Sequence, residues 1–290
     1  MDGWIILDKS VGMNSRTAGN KLRKMFGATT FGHIGTLDPM ASGLLPIALG
    51  DATKMIPFWR NDHKKEYLFG IRWGIDTDTL DITGKTIAKT SVIPTKSDVL
   101  SACQRLIGDI DQVPPQYSAV HVDGRRAYSM ARAGQAVEIP PRRVNIEILD
   151  LLEITDDMWT FRVRCSIGTY VRSIVRDIAK SCGTLGVASM IRRTETNGLN
   201  IKDAVKLDFL ENLFNNGSDF SKYLESIDFG LGDIPVCNLV DKDTQLYKNG
   251  GFIDMVEQAK DGLIRVYSGN QFIGIGMSEN GLLKPKRTIK

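Results

Sequence analysis

Cysteine is scarce in this chain. Four occur in 290 residues, at positions 103, 165, 182 and 237, and no two form a C-x-x-C pair. That spacing argues against structural zinc, and a disulfide framework is not expected in a chain of this length. Histidine is scarcer still. His33, His63 and His121 lie far apart without helical ligand spacing, so no metal site is expected. Charge of one sign is also missing: 37 Lys and Arg face 34 Asp and Glu, a net +3. This balance permits an acidic or nucleic-acid partner without demanding one. Long hydrophobic runs are absent. Trp4–Leu7 is too short for a signal peptide and no basic residue precedes it. The most sparsely charged segment, around Gly32–Gly50, is too short and too interrupted by proline to span a membrane. Repeats and low-complexity tracts are lacking as well. Together these absences point to a reduced, soluble, cytoplasmic protein. What is present, 42% apolar residues over 290, suffices for one large domain plus a small one, or for two.

The chain is organised around Gly32–Lys54, GHIGTLDPMASGLLPIALGDATK. Asp38 is the one charged residue between Gly32 and Gly50, and it opens the only Asp-Pro step of the chain. The run is too apolar for a solvated loop, and its glycines and prolines argue against a helix or strand interior. A lone acid there is either a turn-maker or a working residue. An apolar surround demands a cation to keep the carboxylate ionised, and an ionised, partly desolvated carboxylate serves as nucleophile or base.

Elsewhere the periodicities predict a mixed α+β domain followed by a β-rich end. Trp4–Leu7 reads as a buried strand. Asn14 or Ser15 caps a helix reaching Gly27, and Asp51–Phe58 forms a helical turn. In Glu66–Ile75, alternation of Tyr67, Phe69, Ile71 and Trp73 marks a strand. Ser97 is expected to cap a helix ending near Leu106. Val144–Glu153 and Trp159–Ser166 read as paired strands, and Val187–Thr196 as another. Asp203–Asp233 turns acidic and helical. A boundary near Gly230–Pro235 separates an expected first domain, 1–232, from a second, 233–290, with strands at Leu263–Tyr267 and Phe272–Met277. Residues 108–143 differ in texture. From Pro114 onward, in a stretch with a proline pair near each end, five arginines, Arg125, Arg126, Arg132, Arg142 and Arg143, outnumber two acids, Asp123 and Glu138. A long basic insertion in a compact domain is usually functional.

Three constellations remain. DTDTLDITG, Asp76–Gly84, fails as a calcium loop: Asp81 stands where glycine is needed and Ile87 where glutamate is needed. A polar turn with local Asx caps accounts for it. Thr169–Cys182 carries an apolar stripe of Val171, Ile174, Val175, Ile178, Ala179 and Cys182. Arg172 lies off that stripe, in the first turn, where its charge opposes the helix dipole. A solvated arginine and one paired with an anion are equally admissible on position alone, and Arg172 is the best cation on offer for Asp38. Tyr67 and Tyr170 sit beside charges. That suits base stacking, although half-buried tyrosines are the commoner case.

GHIGTLDPMASGLLPIALGDATK resembles the signature GHxGxLDPxAxGxLPxxxGxATK of the tRNA pseudouridine synthase B family. GWIILDKSVGMNS, the K-x-Y element at Tyr67, DTDTLDITG, PPQYSAVHVDGRRAYSMARAG, SIGTYVRSIVRDIA, MIRRTETNGL and the carboxy-terminal PVCNLVD and FIGIGMSENGLLKPKR extend the likeness over essentially the whole chain. The resemblance implies a pseudouridine synthase fold, with a large antiparallel mixed sheet, a central cleft and a small carboxy-terminal PUA-like module. It implies isomerisation of uridine to pseudouridine at position 55 in the tRNA T-loop, in the cytoplasm, with no cofactor and no obligate protein partner. Asp38 would be the catalytic aspartate and Arg172 its partner. Tyr67 would stack on the flipped base and help remove the C5 proton, Tyr170 and Ile191 would line the pocket, and His33 would help displace the base. Residues 108–143 would be a mobile thumb clamping RNA through its arginines. Ser10, Ile34 and His121 depart from the family pattern without touching Asp38, Tyr67 or Arg172. Guide-RNA-dependent rRNA modification and a non-catalytic tRNA chaperone are the competing functions. The lack of long extensions favours the stand-alone enzyme over the first of these.

Overall fold

The computed structural model describes residues 1–59, 64–118, 120–122, 124–132, 138–254 and 261–289. His63 and Asp123 fall outside them, as do the side chains of Arg126 and Arg132. One ten-stranded sheet dominates. Its order is Val205–Lys206, Gly3–Lys9, Ala41–Leu49, Gly186–Thr196, Lys65–Trp73, Trp159–Cys165, Arg142–Ile154 and Gly108–Gln112. Phe31–His33 adds to Ala41–Leu49, and Leu199–Asn200 adds to Gly186–Thr196. The pairings are antiparallel except two, Gly3–Lys9 with Val205–Lys206 and Gly186–Thr196 with Ala41–Leu49. Strands buried on both faces read as unbroken apolar runs, which is why Gly3–Lys9 is buried at every position.

The sheet corrects one expectation. The second half of the Gly32–Lys54 stretch is a strand interior, Ala41–Leu49, fully buried despite Gly43 and Pro46. Both residues have a structural reason to be there. Gly43 has φ +102°, and a β-carbon on it would lie 2.2 Å from the Arg193 carbonyl oxygen, so only glycine lets the two backbones meet. Pro46 falls where one side of the strand changes partner, from the Arg193 strand at Ala41–Gly43 to Phe31–His33 at Ile47–Leu49. A missing N–H does least harm at such a changeover.

Helices Ser15–Met25, Lys96–Leu106 and Val171–Ser181 pack apolar faces into the core beneath the sheet. Asn14 caps the first through the Thr17 N–H. The second is capped by Thr95, not Ser97. Thr95 and Asp98 form a reciprocal capping box two residues earlier than expected. The acidic stretch after Asp203 is less helical than expected, with one α-helix, Leu207–Asn215, and short 3₁₀ turns. Residues 108–143 are not one unit. Gly108–Gln112 and the strand beginning at Arg142 are edge strands of the large sheet, paired with each other. The segment between them holds the short helix Ala127–Arg132 and packs Val120, Ala127 and Ile139 together near Tyr170.

Beyond residue 235 lies a five-stranded sheet in the order Val236–Leu239, Gly262–Ser268, Gln271–Glu279, Leu282–Thr288 and Ile253–Asp254. It has an apolar cluster of its own. It also shares a second cluster with the amino-terminal region, where Trp4, Ala48, Met55 and Trp59 pack with Leu231, Ile234, Phe272, Ile275 and Ile289. Arg265 reinforces the join through Asp228 at 3.1 Å and the Ile234 carbonyl at 2.9 Å. Among the described residues no helix is long and apolar enough to cross a membrane.

Candidate active site

Asp38 sits in the turn between Phe31–His33 and Ala41–Leu49, beside the first turns of the helices Ser15–Met25 and Val171–Ser181. The turn is tied down at both ends. Its own Asp38 carbonyl accepts from the Ala41 N–H, and the Pro39 carbonyl accepts from the Gly12 N–H. The Ser15 hydroxyl, buried at the start of its helix, donates to the Leu37 carbonyl and accepts from the Leu37 N–H, both at 3.0 Å. The backbone on either side of Asp38 is therefore fixed before any substrate arrives.

The carboxylate meets Arg172 at 2.8 Å. The sequence left open whether Arg172 is solvated, and the stripe put it away from the core. In the structure its side chain is 4% exposed, while that of Asp38 is 39% exposed. The guanidinium forms the floor and the acid faces the opening. Arg172 is also held by the Thr79 carbonyl at 2.8 Å and the Tyr117 carbonyl at 2.9 Å, with Asp81 at 3.7 Å. The helix stripe failed here because the DTDTLD turn and the Tyr117 backbone close over the first helical turn, and no local periodicity reports that. Asp81 is the Asx turn expected, with Oδ1 accepting from Thr83 N–H and from the Thr79 and Thr83 hydroxyls. Its second oxygen is turned towards Arg172, a role that sequence reasoning missed.

Burial pushes the Asp38 carboxyl above the ordinary carboxylate range, Arg172 pulls it down, Asp81 adds to the rise and Lys9 opposes it. Lys9 is the second missed residue. It is fully buried at the end of the amino-terminal strand, and its ammonium donates to the carbonyls of Ser10 at 2.9 Å and Met13 at 2.6 Å. Burial lowers it to about 8.

Tyr67 lies on Lys65–Trp73, 8% exposed and within the field of Asp38. Directly across from it on Gly186–Thr196 is Arg193, fully buried and missed by sequence reasoning. A signal existed. Ile191 and Arg193 share one face of the strand, and Ile191 is buried, whereas the intervening Arg192 turns outward to Asp8 at 2.8 Å. Ile191 pairs with Ala41, three residues past Asp38. Tyr170 precedes the Arg172 helix, half-buried. Gln112 fixes its backbone, accepting from the Tyr170 N–H at 2.8 Å and donating to its carbonyl at 3.3 Å. Burial raises its phenol, and the fields of Asp38 and Arg172 both reach it. His33 touches Thr36 at 2.9 Å, and burial together with the Arg193 charge lowers its imidazole. Arg125, Arg142 and Arg143 are exposed, the last facing Asp111 at 3.5 Å. Among the described residues no group of three or more His, Cys, Asp or Glu could hold a metal.

The site is thus one partly open carboxylate on a buried guanidinium, flanked by a buried tyrosine, at the centre of a mixed sheet. The same fold occurs in solved H/ACA particles. The chain matches a chain of a Cbf5–Nop10–Gar1 complex with TM-score 0.68 and 20% identity, over 99% of this chain and 84% of that one. It matches a chain of an H/ACA RNP bound to a substrate RNA containing 2′-deoxyuridine with TM-score 0.68 and 19% identity, over 99% and 85%. The architecture is the pseudouridine synthase fold.

Sequence comparison narrows this class. Residues 23–171 match the TruB family pseudouridylate synthase (N terminal domain), and residues 235–289 match Pseudouridine synthase II TruB, C-terminal. tRNA pseudouridine synthase B of Caulobacter vibrioides is 40% identical, over 100% of this chain and 96% of that protein. The protein of the same name from Ehrlichia chaffeensis is 39% identical, over 99% of each. The chain belongs to the TruB family of pseudouridylate synthases.

Proposed function

We propose that this protein isomerises uridine to pseudouridine in tRNA, at position 55 of the T-loop, with Asp38 as the reacting carboxylate. The observation that carries this is the Asp38–Arg172 pair: the acid is partly open to the cleft and the cation is sealed beneath it, 2.8 Å away. A carboxylate kept ionised by a fixed, desolvated guanidinium is poised for nucleophilic or basic chemistry on a neutral ring. The reaction is an isomerisation. The C1′–N1 bond breaks, the C5–C1′ bond forms, and one proton moves from C5 to N1, so atoms and electrons balance within the nucleoside.

In this scheme the target base leaves the loop stack before reaction. Tyr67 stacks on it and takes part in C5 deprotonation, Ile191 and Tyr170 line its pocket, and His33 takes part in displacing the base from the loop. Arg172 holds Asp38. Residues 1–232 form the catalytic domain, with a thumb within 108–143 whose Arg125, Arg126, Arg132, Arg142 and Arg143 meet phosphates. Residues 233–290 form an RNA-binding module. The relatives of the same name, alike over their full lengths, favour this over guide-dependent modification, because the H/ACA likeness at 20% identity concerns fold alone.

The test uses purified protein and a bare T-stem-loop without guide RNA. Pseudouridine at the target uridine is expected from the wild type. Asp38→Ala is expected to abolish it while RNA binding persists. Turnover retained in Asp38→Ala overturns the assignment of Asp38. Tight binding by the wild type without any product overturns the enzymatic proposal in favour of a chaperone, and turnover only with added guide RNA overturns the stand-alone one.

A further inference from the structure

Among fully buried side chains Arg193 is second in size only to Trp4. Its Nε donates to the Leu44 carbonyl at 2.7 Å and its Nη2 to the Gly35 carbonyl at 2.8 Å. No carboxylate of the described residues pairs with it, and its buried Nη1 has no hydrogen-bond partner among them. A buried guanidinium held by two carbonyls and facing the Tyr67 phenol, with no anion to pair it, is costly to keep, so a task should accompany it. Lys65 adds to the puzzle. A β-carbon built on Gly35 would lie 2.9 Å from Arg193 Nη1 and 3.0 Å from Lys65 Nζ, so the two cations converge on one point. Lys65 likewise pairs with no carboxylate among the described residues.

The neighbour both cations share is Tyr67. Arg193 is its cross-strand partner, and Lys65 lies two residues before it on the same strand face. Through the Gly35 carbonyl, Arg193 also grips the turn three residues ahead of Asp38.

We propose that Arg193, backed by Lys65, is a positioning residue of the isomerisation: it fixes the Tyr67 oxygen beside the Asp38 turn and stabilises that oxygen as acceptor of the C5 proton. This assignment rests on Asp38 and Tyr67 acting as proposed above. Once C5 is bonded to C1′ it carries an extra proton. As that proton passes to the Tyr67 phenolate, the C5–H electron pair forms the C5–C6 double bond. As it forms, the π pair of the C6=N1 double bond, left when C5 joined C1′, moves to N1, which takes up a proton from solvent, and the phenol returns its proton to solvent. The phenolate needs cations at hand and no competing acid. The groups facing Tyr67 are Arg193 from the neighbouring strand, Cys165 from the other neighbour, Asp38 from the turn and Lys65 from its own strand. Burial raises the phenol, and Arg193 is the group that most opposes the rise.

Single-turnover kinetics on a T-stem-loop with hydrogen or deuterium at C5 of the target uridine test this across neutral and alkaline pH. Arg193→Met is expected to slow isomerisation roughly 100-fold, the scale of a lost acid–base contribution. It should enlarge the C5 isotope effect and move the rising limb of the rate profile to higher pH. RNA affinity should stay within about threefold, because the lost interaction belongs to the transition state. Arg193→Lys should recover about tenfold of the loss by restoring charge without the fork. Lys65→Met should shift isotope effect and pH limb in the same directions by less. An unchanged isotope effect and pH profile in Arg193→Met overturns the proposal. Should that variant fail to fold by circular dichroism, Arg193→Lys and Lys65→Met decide on the same two readouts. Absence of product from the wild type overturns the functional proposal instead, before any variant is compared.

Discussion

Two arginines are buried in the cleft, and they are kept in opposite ways. Arg172, 4% exposed, faces two carboxylates, Asp38 and Asp81. Arg193, fully buried, faces two carbonyls, a phenol and another cation, Lys65. With Lys9 acting on Asp38 as well, the first half of the cleft is charge-balanced and holds an anion already present. In the second half no carboxylate of the described residues pairs with Arg193 or Lys65, and under the proposal above these cations serve an anion that exists only while reaction proceeds. Electrostatic preorganisation of this kind costs stability in the resting protein and is recovered at the transition state. The difference shows why removing either arginine should harm turnover and only one should severely harm the fold.

The strongest way to break this comparison is Arg172→Gln. It strands the buried Asp81 and leaves Asp38 without its cation. Chemical denaturation should report a loss of about 3 kcal/mol, at the low end for a broken buried pair because Asp38 is partly open to water. Turnover should fall with it, and any residual activity should require higher pH, since the Asp38 carboxyl, already raised by burial, loses the group that pulls it down. Equal stability losses in Arg172→Gln and Arg193→Met would erase the distinction between the two halves.

A smaller effect concerns the cations. Burial lowers Lys9 and Lys65 from the ordinary 10.5 to about 8. Between about pH 8 and 10.5 the unfolded chain therefore binds more protons than the folded one. Stability against urea should rise with pH through that window on their account, and Lys9→Met should flatten the rise. A slope unchanged in Lys9→Met would show that its charge is compensated after all. The smallest effect lies far from both arginines. Thr95→Ala removes a capping box and should cost about 1 kcal/mol with turnover unchanged, separating loss of stability from loss of chemistry.

Much of this site was legible in the sequence, because local physics fixes it. Asp38 was conspicuous as the one acid in an apolar stretch, and Arg172 as a cation at the wrong end of its helix. The alternation around Tyr67 located its strand to within two residues at each end. What escaped was set by contacts between distant segments. The helix stripe placed Arg172 outward because the turn that buries it lies some 90 residues earlier, at Thr79 and Asp81. Lys9 looked like an ordinary strand-end lysine, and Arg193 like half of an Arg-Arg pair, until neighbouring strands closed over them. Ala41–Leu49 was misjudged because Gly43 and Pro46 break strands in general. Here one admits the Arg193 backbone and the other sits where the strand changes partner.

The cluster joining the two sheets has a consequence for how such a chain is made. Trp4 and Lys9 belong to one seven-residue strand. Trp4 packs in the cluster that includes Phe272, Ile275 and Ile289, and Lys9 lies beneath the Asp38 turn. During synthesis Trp4 leaves the ribosome hundreds of residues before Ile289 does. The strand that holds Lys9 near the Asp38 turn therefore completes its packing only once residues 272–289 have been delivered. A nascent chain released near residue 232 would keep Asp38, Tyr67 and Arg172 and still leave Trp4 and Trp59 without the Phe272, Ile275 and Ile289 side of their cluster.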